Sequence, residues 1–305
     1  MEKDRIIVIG SANMDMVVKT DHIPVPGETV LGGAFLMNPG GKGANQAVSI
    51  ARLGGDVSFI SKVGNDVFGR QSKQTFEEEG IDTDGVLEDT KTPSGVALIT
   101  VDKSGENSIV VASGANLNLT PKDVEQYLNK IPRVNIVLLQ LEIPMETVKF
   151  AVQYASKHGI KIILNPAPAN PMISELFNFI DVITPNSNEA ELLSGIVVKD
   201  IDSAKTAAES IFQQGVKNVV ITLGANGAVL LNEEGFQIVP ANKVETIDTT
   251  AAGDVFNGAL ALAIAEGKDI LSGVHFACQA ASIAVTRMGA QSSIPFRREL
   301  ILSQI

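Results

Sequence analysis

Arg5-Ile6-Ile7-Val8-Ile9-Gly10-Ser11 is apolar from Ile6 to Ile9 and closes on small residues. A strand with one wet face alternates apolar and polar side chains, whereas an unbroken apolar run fits a strand covered on both faces, as in a parallel sheet. Further strands read at residues 57–64 (VSFISKVG), 134–140 (VNIVLLQ, again a buried one), 160–164, 182–184 and 219–222. Between these runs the apolar spacing turns helical, at 66–79, after the cap-like Thr120-Pro121, at 145–157 and in a helix through Phe212. The run GAVLLN at 227–232 reads as the start of a hairpin. Strands alternating with helices predict an α/β fold: a central, mostly parallel sheet flanked by helices in a Rossmann-like three-layer arrangement.

With 305 residues, 45% of them hydrophobic, the chain can bury a large core, and residues 1–305 read as one domain. A net charge of -11 argues against nucleic acid or an anionic membrane as partner, because both are held by clustered Lys and Arg. Met1-Glu2-Lys3-Asp4-Arg5 and the short apolar stretch after it lack the core of a signal peptide, and no run approaches a membrane span, so a cytoplasmic location is expected. The single cysteine, Cys278, excludes an internal disulfide and a cysteine-based zinc site, and His22, His158 and His275 are too scattered for a His-rich metal site. Cys278 lies in an apolar helical run, where packing is its ordinary role.

Two segments interrupt the alternation. Residues 16–38 carry short β stretches broken by Pro24, Pro26, Gly27, Gly32 and Gly33, and residues 92–113 read as a hairpin in which GVALITV and NSIVVAS flank the turn at 102–106. Paired together, they would form a small β-sheet lid over a ligand site, excluding water and offering a face for dimerisation.

Polar residues gather where the parallel strands end, which is where open α/β sheets bind ligands. Asn13 and Asp15 follow the first strand and Glu142 follows 134–140. Alternate spacing lets Asn13 and Asp15 point one way, and an Asx turn is the other reading. Gly40-Gly41-Lys42-Gly43-Ala44-Asn45-Gln46-Ala47 opens a helix; its glycines admit a ligand close to the backbone, and Lys42 and Asn45 supply donors. It is not a Walker A loop, since Gly43 follows Lys42, nor a dinucleotide fingerprint, since Gln46 occupies the last glycine position. Asn186 and Glu189 stand three apart at a helix start; they suit either Mg²⁺ or a capping box. Gly224 and Gly227 suit a tight turn against a flat ligand or a phosphate.

In Asp248-Thr249-Thr250-Ala251-Ala252-Gly253-Asp254-Val255-Phe256-Asn257-Gly258, small residues lead into an apolar helix. The first amides of that helix lack intrahelical partners and carry the positive end of its dipole, so the turn is a candidate anion hole. Asp254 could take a proton from a hydroxyl attacking a bound phosphorus; an ordinary acidic first turn is the alternative. Together the clusters describe a phosphoryl-transfer crevice.

GGKGAN at 40–45, NSNE at 186–189 and DTTAAGDVFNGA at 248–259 resemble, in order and spacing, the signatures of the sugar-kinase family that contains ribokinases, adenosine kinases, fructokinases and minor phosphofructokinases. The resemblance spans the chain and is strongest to the ribokinases. It implies ATP-dependent phosphorylation of the terminal hydroxyl of D-ribose to D-ribose 5-phosphate; a kinase for another small sugar or nucleoside, or a non-catalytic sugar or nucleotide sensor, are the alternatives. By that resemblance Asp254 is the catalytic base and Ala251, Ala252 and Gly253 supply the anion hole. The sugar falls to Asn13, Met14, Asp15, Gly41, Lys42, Gly43, Asn45, Glu142 and Asp254, a polar set that favours ribose over a nucleoside. ATP falls to Asn186, Thr222, Leu223, Gly224, Ala225, Asn226, Gly227, Gly253, Asp254 and Cys278, the last lining the adenine pocket. Mg²⁺ is associated with Asn186 and Glu189, and a monovalent cation, usually K⁺, with Asp248, Thr250, Ala284, Arg287, Gly289 and Ser293. A homodimer through the lid is implied as well.

Overall fold

The computed structural model describes residues 5–131 and 133–302; residues 1–4, on which the reading of a leaderless N-terminus partly rests, lie outside the described residues. The strands are β1 (Arg5–Ile9), β2 (Asn13–Lys19), β3 (Phe35–Gly40), β4 (Asp56–Gly64), β5 (Val86–Asp89), β6 (Gly95–Val101), β7 (Asn107–Ala112), β8 (Ile136–Leu139), β9 (Lys161–Leu164), β10 (Val182–Ile183), β11 (Asn218–Thr222), β12 (Ala228–Asn232) and β13 (Gly235–Val239). The helices are α1 (Lys42–Arg52), α2 (Val67–Glu78), α3 (Pro121–Leu128), α4 (Met145–Lys157), α5 (Ser187–Ser194), α6 (Ile201–Phe212), α7 (Ala252–Ala265), α8 (Ile270–Ala284) and α9 (Arg297–Leu302).

The main sheet runs β13-β12-β11-β10-β9-β8-β1-β4-β5. Every pairing from β5 to β11 is parallel, and β12 pairs antiparallel with both β11 and β13. In β1 the two-residue period sends Ile6 and Val8 into a core layer with Phe59, Leu138, Val255 and Leu260, and Ile7 and Ile9 into the opposite layer with Val137, Val148 and Ile211. Both faces are dry, which is why Ile6–Ile9 of β1 and the whole of β8 are unbroken apolar runs. Helix α7 is buried from Asp254 through Ala263. It lies close against α1, and a Cβ on Gly258 would come within 2.6 Å of the Ser49 Cβ.

A second sheet, ordered β3-β2-β6-β7, carries the two interrupting segments. Its strands begin earlier than the punctuation suggested: Asn13 and Asp15 belong to β2, with Asn13 paired to Gly40 and Gly95, rather than to an Asx turn after β1. A main-chain ladder satisfies this backbone, so no side-chain turn is needed there. One strand goes unread and one reading is corrected. Strand β5, four residues reading VLED, pairs with β4 at the sheet edge and shows no apolar run, so its sequence carries no strand signal. The helix through Phe212 is two helices, separated where Gly195 ends α5 in the left-handed conformation and Asp200 caps α6. Among the described residues no helix is long and apolar enough to cross a membrane.

Candidate active site

After β1 the chain builds β4 and β5 on one side, then returns to place β8 on the other. Loops leaving β1 and β8 therefore diverge, and a crevice opens beyond their carboxyl ends. The start of α1 fills its floor. Gly41, at φ +90°, lies so close to the chain before β2 that a Cβ would approach the Asn13 nitrogen to 2.8 Å, so only glycine lets α1 begin here. Glu142, beyond β8, accepts from the Ser11 hydroxyl and from the Lys42 amide at 3.2 Å, tying the two loops together.

Asp254 stands in the first turn of α7, 7% exposed. Its Oδ2 accepts from Asn45 Nδ2 at 2.9 Å and its Oδ1 from Gln46 Nε2 at 3.1 Å, so the two central motifs meet at one carboxylate. Burial raises the Asp254 pKa; Lys42 and the two amides oppose that rise, and Glu142 adds to it. Burial would lower Lys42, but Asp254, Glu142, Glu189 and Asp15 outweigh it and hold the ammonium above its ordinary value. One cation among four carboxylates leaves the crevice rich in acceptors, suited to a ligand that offers hydroxyl donors.

Asp15 is pushed up to about 6 by burial and by its neighbours Glu142 and Asp254, with Lys42 opposing. Because the raised value disfavours its charged form in the fold, Asp15 weakens stability above about pH 6, and this penalty fades as pH falls through 6 toward the unfolded value of 3.8. Asp15→Asn is therefore expected to melt about 2–4 °C above the parent at pH 8, with the gap about halved at pH 5. Thermal melts at both pH values check this, and an equal gap at each would refute it.

Ahead of α7, Ala251 sits at φ +59°, the only non-glycine with positive φ among the described residues. Such a conformation strains any residue with a Cβ by about 1–2 kcal/mol. No side chain caps α7, and among the described residues the Gly253 and Asp254 amides have no acceptor. Asp248 anchors the turn: its carboxylate accepts from Thr250 N (2.9 Å), Thr250 Oγ1 (2.7 Å) and Gly289 N (2.8 Å). Burial favours its neutral form, but these donors prevail and hold it below the usual carboxylate range. Val285 O also accepts from Ile247 N at 2.8 Å, so the segment that follows α8 lies against the turn. The Arg287 guanidinium is committed to Glu299, which leaves only its backbone for a cation beside Asp248.

On the other flank, Asn186 bridges to Thr222, and Thr222 N donates to Pro185 O at 2.9 Å, so the ends of β10 and β11 carry the two expected nucleotide segments side by side. Gly224–Asn226 forms the tight turn. Asn186 and Glu189 make a reciprocal capping box, each amide donating to the other's side chain at 2.9 Å. Glu189 nevertheless faces the crevice: burial raises it, the Asn186 amide and Lys42 oppose, and Asp254 adds to the rise. Among the described residues no three His, Cys, Asp or Glu side chains could form a metal cage. Cys278 packs in the core, its thiol pushed up to about 12 by burial, and the hydrogen bond at its carbonyl comes from Ser282 of its own helix.

Sequence reading missed the buried polar residues behind the crevice: Gln140, Asn165, Thr184 and Asn257, along with Ser11 and Asn116. For Gln140, Asn165 and Thr184 the signal was a polar residue ending an apolar strand, indistinguishable from a turn former; Asn257 lies within α7 and Asn116 in the turn at 114–118. Asn116 holds the start of β2, donating to Asn13 Oδ1 at 2.8 Å and accepting from Ala12 N at 2.9 Å.

Residues 3–297, which take in every crevice residue described above, match the pfkB family of carbohydrate kinases. The chain belongs to that family. It is 45% identical to a ribokinase of Haemophilus influenzae, over 97% of each chain, and 38% identical to a deoxyribokinase of Salmonella typhi, over 95% of each. Its fold superposes with a TM-score of 0.90 on the structure of Arabidopsis thaliana ribokinase complexed with ribose and ATP, 31% identical and covering 99% of this chain and 98% of that one.

Proposed function

We propose that the chain transfers the γ-phosphoryl group of ATP to the terminal hydroxyl of D-ribose, giving D-ribose 5-phosphate. The observation that carries this reading is Asp254, buried between the sugar-side amides of Asn45 and Gln46 and the uncapped amides at the head of α7. In this reading Asn13, Asp15, Lys42, Asn45 and Glu142 hold the sugar hydroxyls, and Asp254 accepts the proton of the attacking one. In a loose transition state that proton leaves late, so placement of the carboxylate matters more than unusual basicity. The Gly253 and Asp254 amides and the dipole of α7 meet the charge on the transferring group. Asn186 and the turn from Thr222 to Gly227 hold the nucleotide.

Mg²⁺ would be held beside Asn186 and Glu189 together with phosphate oxygens and would neutralise phosphate charge. A monovalent cation would sit by Asp248 and the backbone of residues 284–293, where a carboxylate held ionised is available to it. Adding K⁺ to a Na⁺-only assay is then expected to raise kcat; an unchanged rate would remove this site from the reading.

The second sheet is read as a lid and as the surface of a homodimer. Its register aligns Met16, Met37, Leu98 and Val110 on one face and Val17, Leu36, Ile99 and Ile109 on the face shared with Asp15. Leu98 and Val110 are 53% and 64% exposed, more apolar surface than a small sheet leaves to water without a partner. Val110→Asp is expected to turn a dimer into a monomer in light scattering after gel filtration; a monomeric parent would end the dimer reading. A cytoplasmic location suits an ATP-consuming enzyme with one unpaired cysteine, and activity confined to a membrane or secreted fraction would exclude it.

A coupled ADP-release assay across D-ribose, 2-deoxyribose, fructose and adenosine tests the function. Ribose is expected to give the highest kcat/KM. Deoxyribose is the second candidate because a deoxyribokinase is 38% identical, and turnover of adenosine or fructose without ribose would overturn the assignment.

A further inference from the structure

We propose that a buried chain of amide side chains, Gln140 to Gln46, fixes the orientation of the Asp254 carboxylate, and that its continuation through Asn165, Thr184 and Asn257 ties that carboxylate to the turn receiving the phosphoryl group. The inference rests on the reading of Asp254 as the base. Gln46 and Gln140 are fully buried. Gln46 Nε2 donates to Asp254 Oδ1 and to Asn165 Oδ1, both at 3.1 Å, and Gln46 Oε1 accepts from Gln140 Nε2 at 2.5 Å.

An ionised carboxylate only accepts hydrogen bonds, so Gln46 must turn its NH₂ toward Asp254 and its carbonyl oxygen toward Gln140. The Gln140 NH₂ rewards that orientation and penalises the flipped one, in which a carbonyl oxygen would face the carboxylate. Gln140 packs against bare backbone: a Cβ on Gly10 would lie 2.0 Å from its Oε1. On the far side, Asn165 Nδ2 donates to Thr184 O at 3.3 Å, Thr184 Oγ1 donates to Asn257 Oδ1 at 2.5 Å, and Asn257 Nδ2 donates to Gly253 O at 2.8 Å. Gly253 precedes Asp254, so the chain closes on itself as a ring through α1, the ends of β9 and β10 and the first turn of α7, with Gln140 at the end of β8 joined to it at Gln46. Such a ring holds both the base and the adjacent amide-bearing turn against rotation, and a base works only when its lone pair is aimed at the reacting hydroxyl.

Gln46 is thus a positioning residue for Asp254, and Gln140 one for Gln46. Gln46→Met, close in volume and without a donor, is expected to lower kcat about 10- to 100-fold, with the calorimetric affinity for D-ribose changed less than about threefold. The acid limb of kcat against pH is expected to move upward. Gln46, Asn45 and Lys42 favour the ionised form of Asp254, whereas burial and the carboxylates of Glu142, Asp15 and Glu189 oppose it. A side chain that merely filled space would leave that limb in place. Gln140→Met, which touches Gln46 but not Asp254, is expected to shift both readouts in the same direction by about a third as much on a logarithmic scale, and it decides the matter if Gln46→Met does not fold. Parental kcat and parental acid limb in a folded Gln46→Met overturn the inference, and the same result in Gln140→Met overturns the orienting role. Asp254→Asn, run alongside, separates the failures: if it is inactive while Gln46→Met is parental, only the positioning role falls, and if it is itself active at the parental rate, the base reading falls with it.

Discussion

Asp254→Asn is expected to lower kcat by about 10²- to 10⁴-fold, the usual contribution of a positioned general base, while D-ribose still binds. The substitution removes the proton acceptor with little change of volume. It also disturbs the local hydrogen bonding: Asp254 accepts NH₂ groups from both Asn45 and Gln46, and an asparagine offers one acceptor oxygen and one NH₂, so one pairing becomes donor against donor. A modest fall in melting temperature should accompany the loss of rate, offset in part because burial no longer works against a charge at this position. The coupled assay measures kcat and titration calorimetry the affinity for sugar. Turnover within tenfold of the parent would remove Asp254 as the base; loss of sugar binding together with rate would make it a binding residue instead.

The sequence exposes the main sheet because its strands are dry on both faces: no polar residue interrupts Ile6 to Ile9 or Ile136 to Leu139. Strand β5 stayed hidden for the converse reason, being short, at an edge and half polar. The start of the second sheet was misplaced by three residues because the passage from β1 into β2 is set by main-chain pairing of Asn13 with Gly40 and Gly95, which leaves no mark on composition. At the crevice, the residues legible beforehand sit in two short glycine-containing helix starts, where local spacing constrains geometry, or just past strand ends, as Asn13, Asp15, Glu142 and Asn186 do. Gln140, Asn165, Thr184 and Asn257 act across gaps of tens of residues, and Gln140 reaches Gln46 over 94 positions. No local pattern encodes such contacts; Gln140, Asn165 and Thr184, taken alone, look like polar strand ends, and Asn257 like a polar residue of a helix. Asn186 and Glu189 show the opposite limit, since the capping box and a crevice-facing carboxylate prove compatible, and Glu189 serves the one without leaving the other.

Gly253→Asp is expected to separate stability from activity by its charge alone. A Cβ at Gly253 would meet nothing within 4 Å, so the larger side chain fits without repacking. The position lies in the first turn of α7, which has no side-chain cap, and a carboxylate there gains about 0.3–1 kcal/mol from the dipole, set against repulsion from the neighbouring Asp254. The melting temperature should therefore stay within about 2 °C of the parent. The catalytic consequence runs the other way. If the uncapped amides receive the transferring phosphoryl group, a negative charge about 4 Å from it at an effective dielectric of about 20 opposes binding and reaction by about 4 kcal/mol, close to 10³-fold in kcat/KM for ATP. Gly253→Asn carries the same bulk without the charge and should lose no more than about 30-fold, as expected of steric crowding alone. Calorimetric affinity for D-ribose should be unchanged in both. Equal losses in the two variants would make the effect steric, and parental ATP kinetics in Gly253→Asp would show that the phosphoryl group is held elsewhere than at the head of α7.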